Sequence, residues 1–419
     1  MAEIEPTILP QSTQIQPVCS SSSSPNSLAS TLKATATAII TGIIFGFAFD
    51  KSRVFELNSI RGQMVFMRFV MLKMFLAAAG TNALVIIVYS KLKPDLFNNK
   101  VKEKYRKLSD DRSLLRGTCL GAAMLGFGMN LSSACPGMVL SQLGTGMTNS
   151  EFTFLGCVFG VMFYSLFETR IRAFASVGYT PPPETRFIEE YFPNTLSGQS
   201  RVDKTRFALA IVCYCVVAGL ELLSPWDSSN EVDVNNTSEC TLKNVFACRN
   251  WPPYIPGIII GLINMPLLMN LNTCMGTGMS YQNTAALPFL LFDREKLIKK
   301  VPSLSYAVSH TPNNAQQAWP IYFSAGAVVG AFASCTSTPI SSFGTVNGLP
   351  PVEGFIGGFL MLFGSRMANG CTSGHGISGF PMLSIASFFA VPAMFTGGIL
   401  GGFLLQAIMG KEVFMPSTP

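Results

Sequence analysis

The chain is short of charge. Only 12% of its 419 residues are Asp, Glu, Lys or Arg, where soluble domains average about 25%. A soluble core of this length needs a charged shell, and these residues cannot supply one. Histidine is nearly missing, with two residues in the whole chain. The eleven cysteines contain no C-x-x-C pair, so no ligand set for a structural zinc is in view. A net charge of +6 is small for a nucleic-acid footprint and suits basic membrane loops. An ordinary cytosolic enzyme, a nucleic-acid-binding module and a disordered chain are therefore set aside, and no cofactor is expected.

What is abundant points to a lipid bilayer. Hydrophobic residues make up 48%, with 37 glycines and 33 phenylalanines. Both types are common where membrane helices pack closely and face lipid. The composition predicts an all-α polytopic membrane protein. Nine apolar segments stand out, near 34–49, 64–89, 114–130, 152–168, 207–224, 254–271, 320–334, 354–368 and 383–409. Those at 34–49, 320–334 and 354–368 are short, Gly- or Ala-rich and followed by irregular stretches. They read as broken or re-entrant helices, whose backbone is tolerated where it lines a cavity.

Residues 1–32, with Cys19 and the serine run Ser20–Ser24, read as a disordered leader. With the N-terminus inside, the inner connections hold 18 Lys and Arg and the outer ones 6, in agreement with the positive-inside rule. The 225–253 loop then lies outside. It carries overlapping glycosylation sequons at Asn235 and Asn236. It also carries Cys240 and Cys248, which an oxidising compartment would let pair. A surface membrane fits these signals, with an internal secretory-pathway membrane equally open.

The chain repeats itself. Gly42-Ile43-Ile44-Phe45-Gly46-Phe47 aligns with Gly257-Ile258-Ile259-Ile260-Gly261-Leu262, and Gly121–Gly128 aligns with Gly357–Gly364. The second register places Cys135-Pro136-Gly137 on Cys371-Thr372-Ser373. Segments 1–4 thus correspond to 6–9, with segment 5 as connector. A single extra crossing inverts the second half, as in many secondary transporters. The domain reading is a first transmembrane repeat over 33–168, a connector over 169–253, a second repeat over 254–409 and a tail over 410–419.

Two stretches carry a family resemblance. Gly-Met-Asn-Leu-Ser-Ser-Ala-Cys-Pro-Gly (128–137) and Arg-Met-Ala-Asn-Gly-Cys-Thr-Ser-Gly-His-Gly-Ile-Ser-Gly (366–379) resemble the signature motifs of the YeeE/YedE family of sulfur-transport membrane proteins. Gly-Phe-Ala-Phe-Asp-Lys-Ser-Arg-Val-Phe (46–55) is similar to that family's first conserved segment. The resemblance implies uptake of thiosulfate or a related sulfur anion through an hourglass-shaped helical protein, with cysteines at the narrow point. It departs at Phe55, where bacterial members carry a further cysteine. In the second half Cys274 occupies a corresponding Gly-rich turn.

The residue chemistry fits such a cargo. A dianion leaves water only where its charge is matched, and Gly-rich turns that open helices offer N–H groups and a positive dipole end. The expected path residues are Cys135, Cys371 and Cys274, with Ser132, Ser133, Gly137, Thr372, Ser373, Gly374 and Ser378 beside them. A thiol is a weak donor and a soft contact for a polarisable sulfur. His375 either carries a proton, steers the anion or caps a helix. Arg366 either attracts the anion or snorkels to the inner interface. Arg68 and Lys73 are expected to snorkel or to pair with Glu168 or Glu221. The competing function is a membrane thiol enzyme, a sulfurtransferase or persulfide carrier. Expected partners are the sulfur anion, the bilayer and a cytosolic sulfur-accepting protein.

Overall fold

The computed structural model describes residues 28–109, 114–176, 187–188, 196–226, 248, 250–287, 315–337, 343–344 and 346–410. Most of the leader, both sequon asparagines (Asn235, Asn236) and Cys240 lie outside the described residues. Cys248 is disulfide-bonded, to a partner that also lies outside them.

The described chain is helical and holds no strand. The first half runs α1 (Leu28–Ser52), α2 (Leu57–Met64), α3 (Val70–Leu92), a mixed helical segment from Pro94 to Ser109, then α4 (Leu120–Ser132), α5 (Pro136–Thr145), α6 (Ser150–Leu166) and α7 (Glu168–Ser176). The connector helix is α8 (Leu196–Leu223). The second half runs α9 (Tyr254–Leu262), α10 (Asn264–Leu271), α11 (Gly278–Ala286), α12 (Ala315–Thr336), α13 (Pro351–Ala368), a π-helical turn (Ser373–Gly379) and α14 (Ile385–Met409). Seven spans are long and apolar enough to cross a bilayer. Counting α6 with α7 as one span bent by 76° makes eight. Nine segments were expected; among the described residues α13, of 18 residues, is not among these apolar spans.

The breaks fall in different places from those the segment lengths predict. α1, α12 and α13 are continuous helices of 25, 22 and 18 residues. The short pieces include α2, α5, α7, α11, the α9 and α10 pair that divides the 254–271 segment, and the turn at Ser373–Gly379. Hydropathy marks only the apolar centre of each long helix, so its polar ends are missed.

Helix packing follows a pseudo-two-fold relation that glycines report. A methyl group on Gly46 of α1 would lie 1.8 Å from the Ala327 carbonyl oxygen of α12, and one on Gly261 of α9 would lie 2.8 Å from the Ala78 carbonyl oxygen of α3. Gly42 meets Phe323 O at 2.2 Å as its counterpart Gly257 meets Met74 O at 2.4 Å. At the centre α4 crosses α13, where Gly121 faces Gly364 O and Gly357 faces Ser132. Gly160 of α6 against Phe359 O of α13 is matched by Gly397 of α14 against Ala123 O of α4. These backbones approach so closely that only glycine fits, as in small-residue membrane interfaces.

Two buried cations inside the bundle are paired with carboxylates. Lys73, fully buried, reaches Glu221 at 2.8 Å, one of the two partners its sequence position suggests. Arg61 of α2 pairs with Glu353 of α13 and donates to the Asn130 and Leu131 carbonyls at 3.2 and 2.9 Å. It thereby holds the end of α4.

Candidate functional site

Four turns are built on one plan. Arg53, Ser133, Asn272 and Asn369 have φ of 55°, 49°, 50° and 63°, the left-handed conformation that ends a helix and turns the chain. Two residues after each stands, in order, Phe55, Cys135, Cys274 and Cys371. The left-handed cap releases the chain from the helix, and the next residues turn inward. Pairwise the turns are pseudo-equivalent: Gln142 Nε2 donates to the Phe55 carbonyl at 3.0 Å, and Ser378 Oγ donates to the Met275 carbonyl at 2.6 Å.

Cys135 is the N-cap of α5, with Pro136 at the first helical position. Its sulfur accepts from the backbone N–H groups of Gly137 and Met138 and lies within hydrogen-bonding reach of Thr372. Its own N–H donates to Met138 Sδ at 3.3 Å. Gly137 is required by close approach, since a methyl there would be 3.0 Å from Phe45 and 3.6 Å from Thr277.

Cys371 sits at the start of α11, although 93 residues separate it from Gly278. Its sulfur accepts from Gly278 N–H at 3.3 Å. Ser373 Oγ lies 3.1 Å away and Thr277 Oγ1 3.6 Å. Ser373 also accepts from Thr277 N–H at 3.2 Å. Both thiols therefore stand at the N-terminal ends of short helices, where free N–H groups and the dipole favour negative charge. Tyr281 Oη of α11 donates to the Pro136 carbonyl at 2.5 Å, which ties the two turns together. Open space adjoins them. A methyl on Gly374 would meet only Cys371 Sγ, at 3.7 Å, and one on Gly276 would meet nothing within 4 Å.

The other sequence candidates separate into groups. Ser132 gives its hydroxyl to the Gly128 carbonyl at 2.7 Å, whereas the buried Ser133 hydroxyl has no partner. His375 is held by Ala368 O (3.2 Å, Nε2) and Ser387 Oγ (3.1 Å, Nδ1), an arrangement that caps the end of α13. Arg366 stacks over Tyr164 at 5.9 Å and lies within electrostatic range of Glu168, on the α6 side of α13. Cys274 lies in a separate cluster with Tyr89, Phe97, Met382 and Tyr105. Sequence reading missed Thr277, Gly278, Tyr281, Arg61 and Gln142. Thr277 and Gly278 had a signal, the Gly-rich turn at 272–278, but nothing in the chain ties that turn to Cys371.

Among known proteins, the sulphur transport family matches residues 51–400. The chain belongs to this family. The match takes in both signature turns, the Phe55 and Cys274 turns, and all of the glycine contacts described above except those at Gly42 and Gly46. The thiosulfate transporter TsuA of Escherichia coli (strain K12) is 20% identical over 291 residues, covering 67% of this chain and 72% of that protein. Membership in a sulphur transport family agrees with a polytopic helical chain whose buried turns offer thiols and hydroxyls.

Proposed function

We propose that the protein carries a small sulfur dianion, thiosulfate, across its membrane past Cys135 and Cys371. One observation carries the reading: each thiol stands at the N-terminus of a short helix, α5 or α11, beside unspent or weakly committed donors. Backbone N–H groups, Ser133, Ser373 and Thr277 match the anion's charge without a fixed cation, so the anion is held weakly enough to leave. The thiols contact its terminal sulfur through soft, neutral interactions. The name of the E. coli relative supports thiosulfate as the cargo.

The protein acts as a transporter and not as an enzyme. His375, which would serve as the base for a nucleophilic thiol, has its ring held by Ala368 and Ser387 instead. The N-terminus faces the cytosol, as the charge asymmetry of the loops suggests; transport runs inward, and the surface membrane is the site of action. A cytosolic sulfur-accepting protein takes the product.

The test is uptake of labelled thiosulfate into vesicles holding the purified protein. Wild type takes it up, and Cys135→Ala and Cys371→Ala lose uptake while keeping their folded yield. Unimpaired uptake by Cys371→Ala overturns the thiol-lined path. Absence of uptake by wild type overturns thiosulfate as cargo.

A further inference from the structure

The mixed helical segment from Pro94 to Ser109 turns back over the second half of the protein. Phe97 and Val101 are fully buried against α3, with the Phe97 and Tyr89 rings 6.3 Å apart. They belong to one apolar cluster with Leu268, Cys274 and Met382. This anchoring brings two polar residues of the same segment onto the Cys274 turn. The Lys104 ammonium donates to Thr273 Oγ1 at 2.9 Å. The Tyr105 hydroxyl is within hydrogen-bonding reach of both Cys274 and Ser378, and within electrostatic range of Cys371. Tyr105 thus lies between the two thiol turns.

Lys104 is half-buried, and among the described residues its ammonium has one hydrogen-bond partner, the neutral Thr273 hydroxyl. None of the salt bridges among the described residues includes it. Burial lowers its pKa, and the Cys274 thiol lies within electrostatic range of it. Two other buried cations of this bundle have carboxylates: Lys73 has Glu221 and Arg61 has Glu353. A cation partly withdrawn from water, with no carboxylate partner among the described residues, is complementary to a passing anion. Gly276, three residues after the Thr273 that Lys104 bonds, faces open space, since an added methyl would meet nothing within 4 Å.

We propose that Lys104, Tyr105, Thr273 and Cys274 form a second binding site for the transported sulfur dianion, adjacent to Cys371. This rests on the transport reading given above. Lys104 takes the anion's oxygens by a charge-assisted hydrogen bond. Tyr105 and Thr273 add hydroxyl donors, and the Cys274 thiol takes the sulfur end. An anion leaving the neutral donors of Cys371 gains a cation at the next station. Because that attraction is confined to one lysine, release is still possible.

The experiment compares wild type with Lys104→Gln, Lys104→Arg and Tyr105→Phe in the vesicle uptake assay. Removing a charge-assisted donor raises KM for thiosulfate about tenfold in Lys104→Gln. Lys104→Arg keeps the charge and restores KM to within about threefold of wild type, a rescue that a packing role would not give. Wild-type KM in Lys104→Gln, or equal damage from Gln and Arg, overturns the second site and leaves the Cys135–Cys371 path intact. Equilibrium dialysis of labelled thiosulfate against the Cys135→Ala/Cys371→Ala variant reads the site without transport. Residual binding that Lys104→Gln abolishes supports the proposal, and no residual binding overturns it. A wild type that takes up no thiosulfate defeats the transport reading instead.

Discussion

Tyr281 Oη donates a 2.5 Å hydrogen bond to the carbonyl of Pro136, joining the helix that begins under Cys371 to the helix that Cys135 caps. Both residues are buried, so the bond has no competing water. Tyr281→Phe leaves the Pro136 carbonyl without this donor and costs about 1–3 kcal/mol. Thermal unfolding of the purified protein in detergent should show a lower Tm. Uptake should fall as well, because the two thiol turns lose their cross-tie. An unchanged Tm would show that the tie contributes nothing to the fold.

The glycine seams give a paired prediction. Gly46→Ala sets a methyl 1.8 Å from the Ala327 carbonyl, and backbone on both sides must move apart, at a cost of about 1–3 kcal/mol or more. Gly219 of α8 has nothing within 4 Å of the same added methyl. Gly219→Ala should therefore be neutral or stabilise by about 1 kcal/mol, through helix propensity alone. Equal effects of the two substitutions on Tm would contradict the close crossing of α1 and α12.

Arg61 and Glu353 give a prediction about charge. Glu353→Gln leaves a buried guanidinium without its counter-charge, at a cost of about 3–5 kcal/mol. Its remaining acceptors are the Asn130 and Leu131 carbonyls, so the end of α4 should loosen as well. Folded yield and Tm should both drop sharply. The double substitution Arg61→Met/Glu353→Gln should recover part of the loss, since no lone charge then remains. A double variant as unstable as Glu353→Gln would count against a charge origin.

The left-handed caps predict a side-chain-specific effect two residues ahead of Cys371. Asn369 holds φ of 63°, which Asn and Gly adopt and β-branched residues resist. Asn369→Gly should retain uptake and stability. Asn369→Val should be destabilised by about 1–2 kcal/mol and should lose uptake in greater proportion, because the turn that aims Cys371 distorts. Equal uptake by the two variants would separate the cap from the aim of the thiol.

Filling the open space at Gly374 tests the room beside Cys371. Gly374→Ala clashes with nothing, the nearest atom being Cys371 Sγ at 3.7 Å, so Tm should be retained. On the proposed path uptake should fall, because the methyl occupies volume beside the Cys371 thiol. Full activity in this variant would place the anion's route elsewhere.

The sequence alone determined the membrane class, since too few charges exist to cover a soluble core. It also determined the repeat, because paired glycine-rich segments must meet at equivalent crossings. The two motif cysteines stand out in the sequence for the same reason: each lies in a Gly/Ser turn in register with the other. Tertiary structure decided who surrounds them. The donors to Cys371 come from Thr277 and Gly278, and the cation beside Cys274 comes from Lys104, all distant in the chain. Spacing along the chain likewise left the directions of His375 and Arg366 open. Their side chains turn toward Ser387 and Tyr164, because a helix end and a bundle crossing set those directions. Periodicity and composition encode which face of a segment is buried. Which neighbour it meets depends on how the halves pack, and that is fixed by the backbone approaches that only glycine permits.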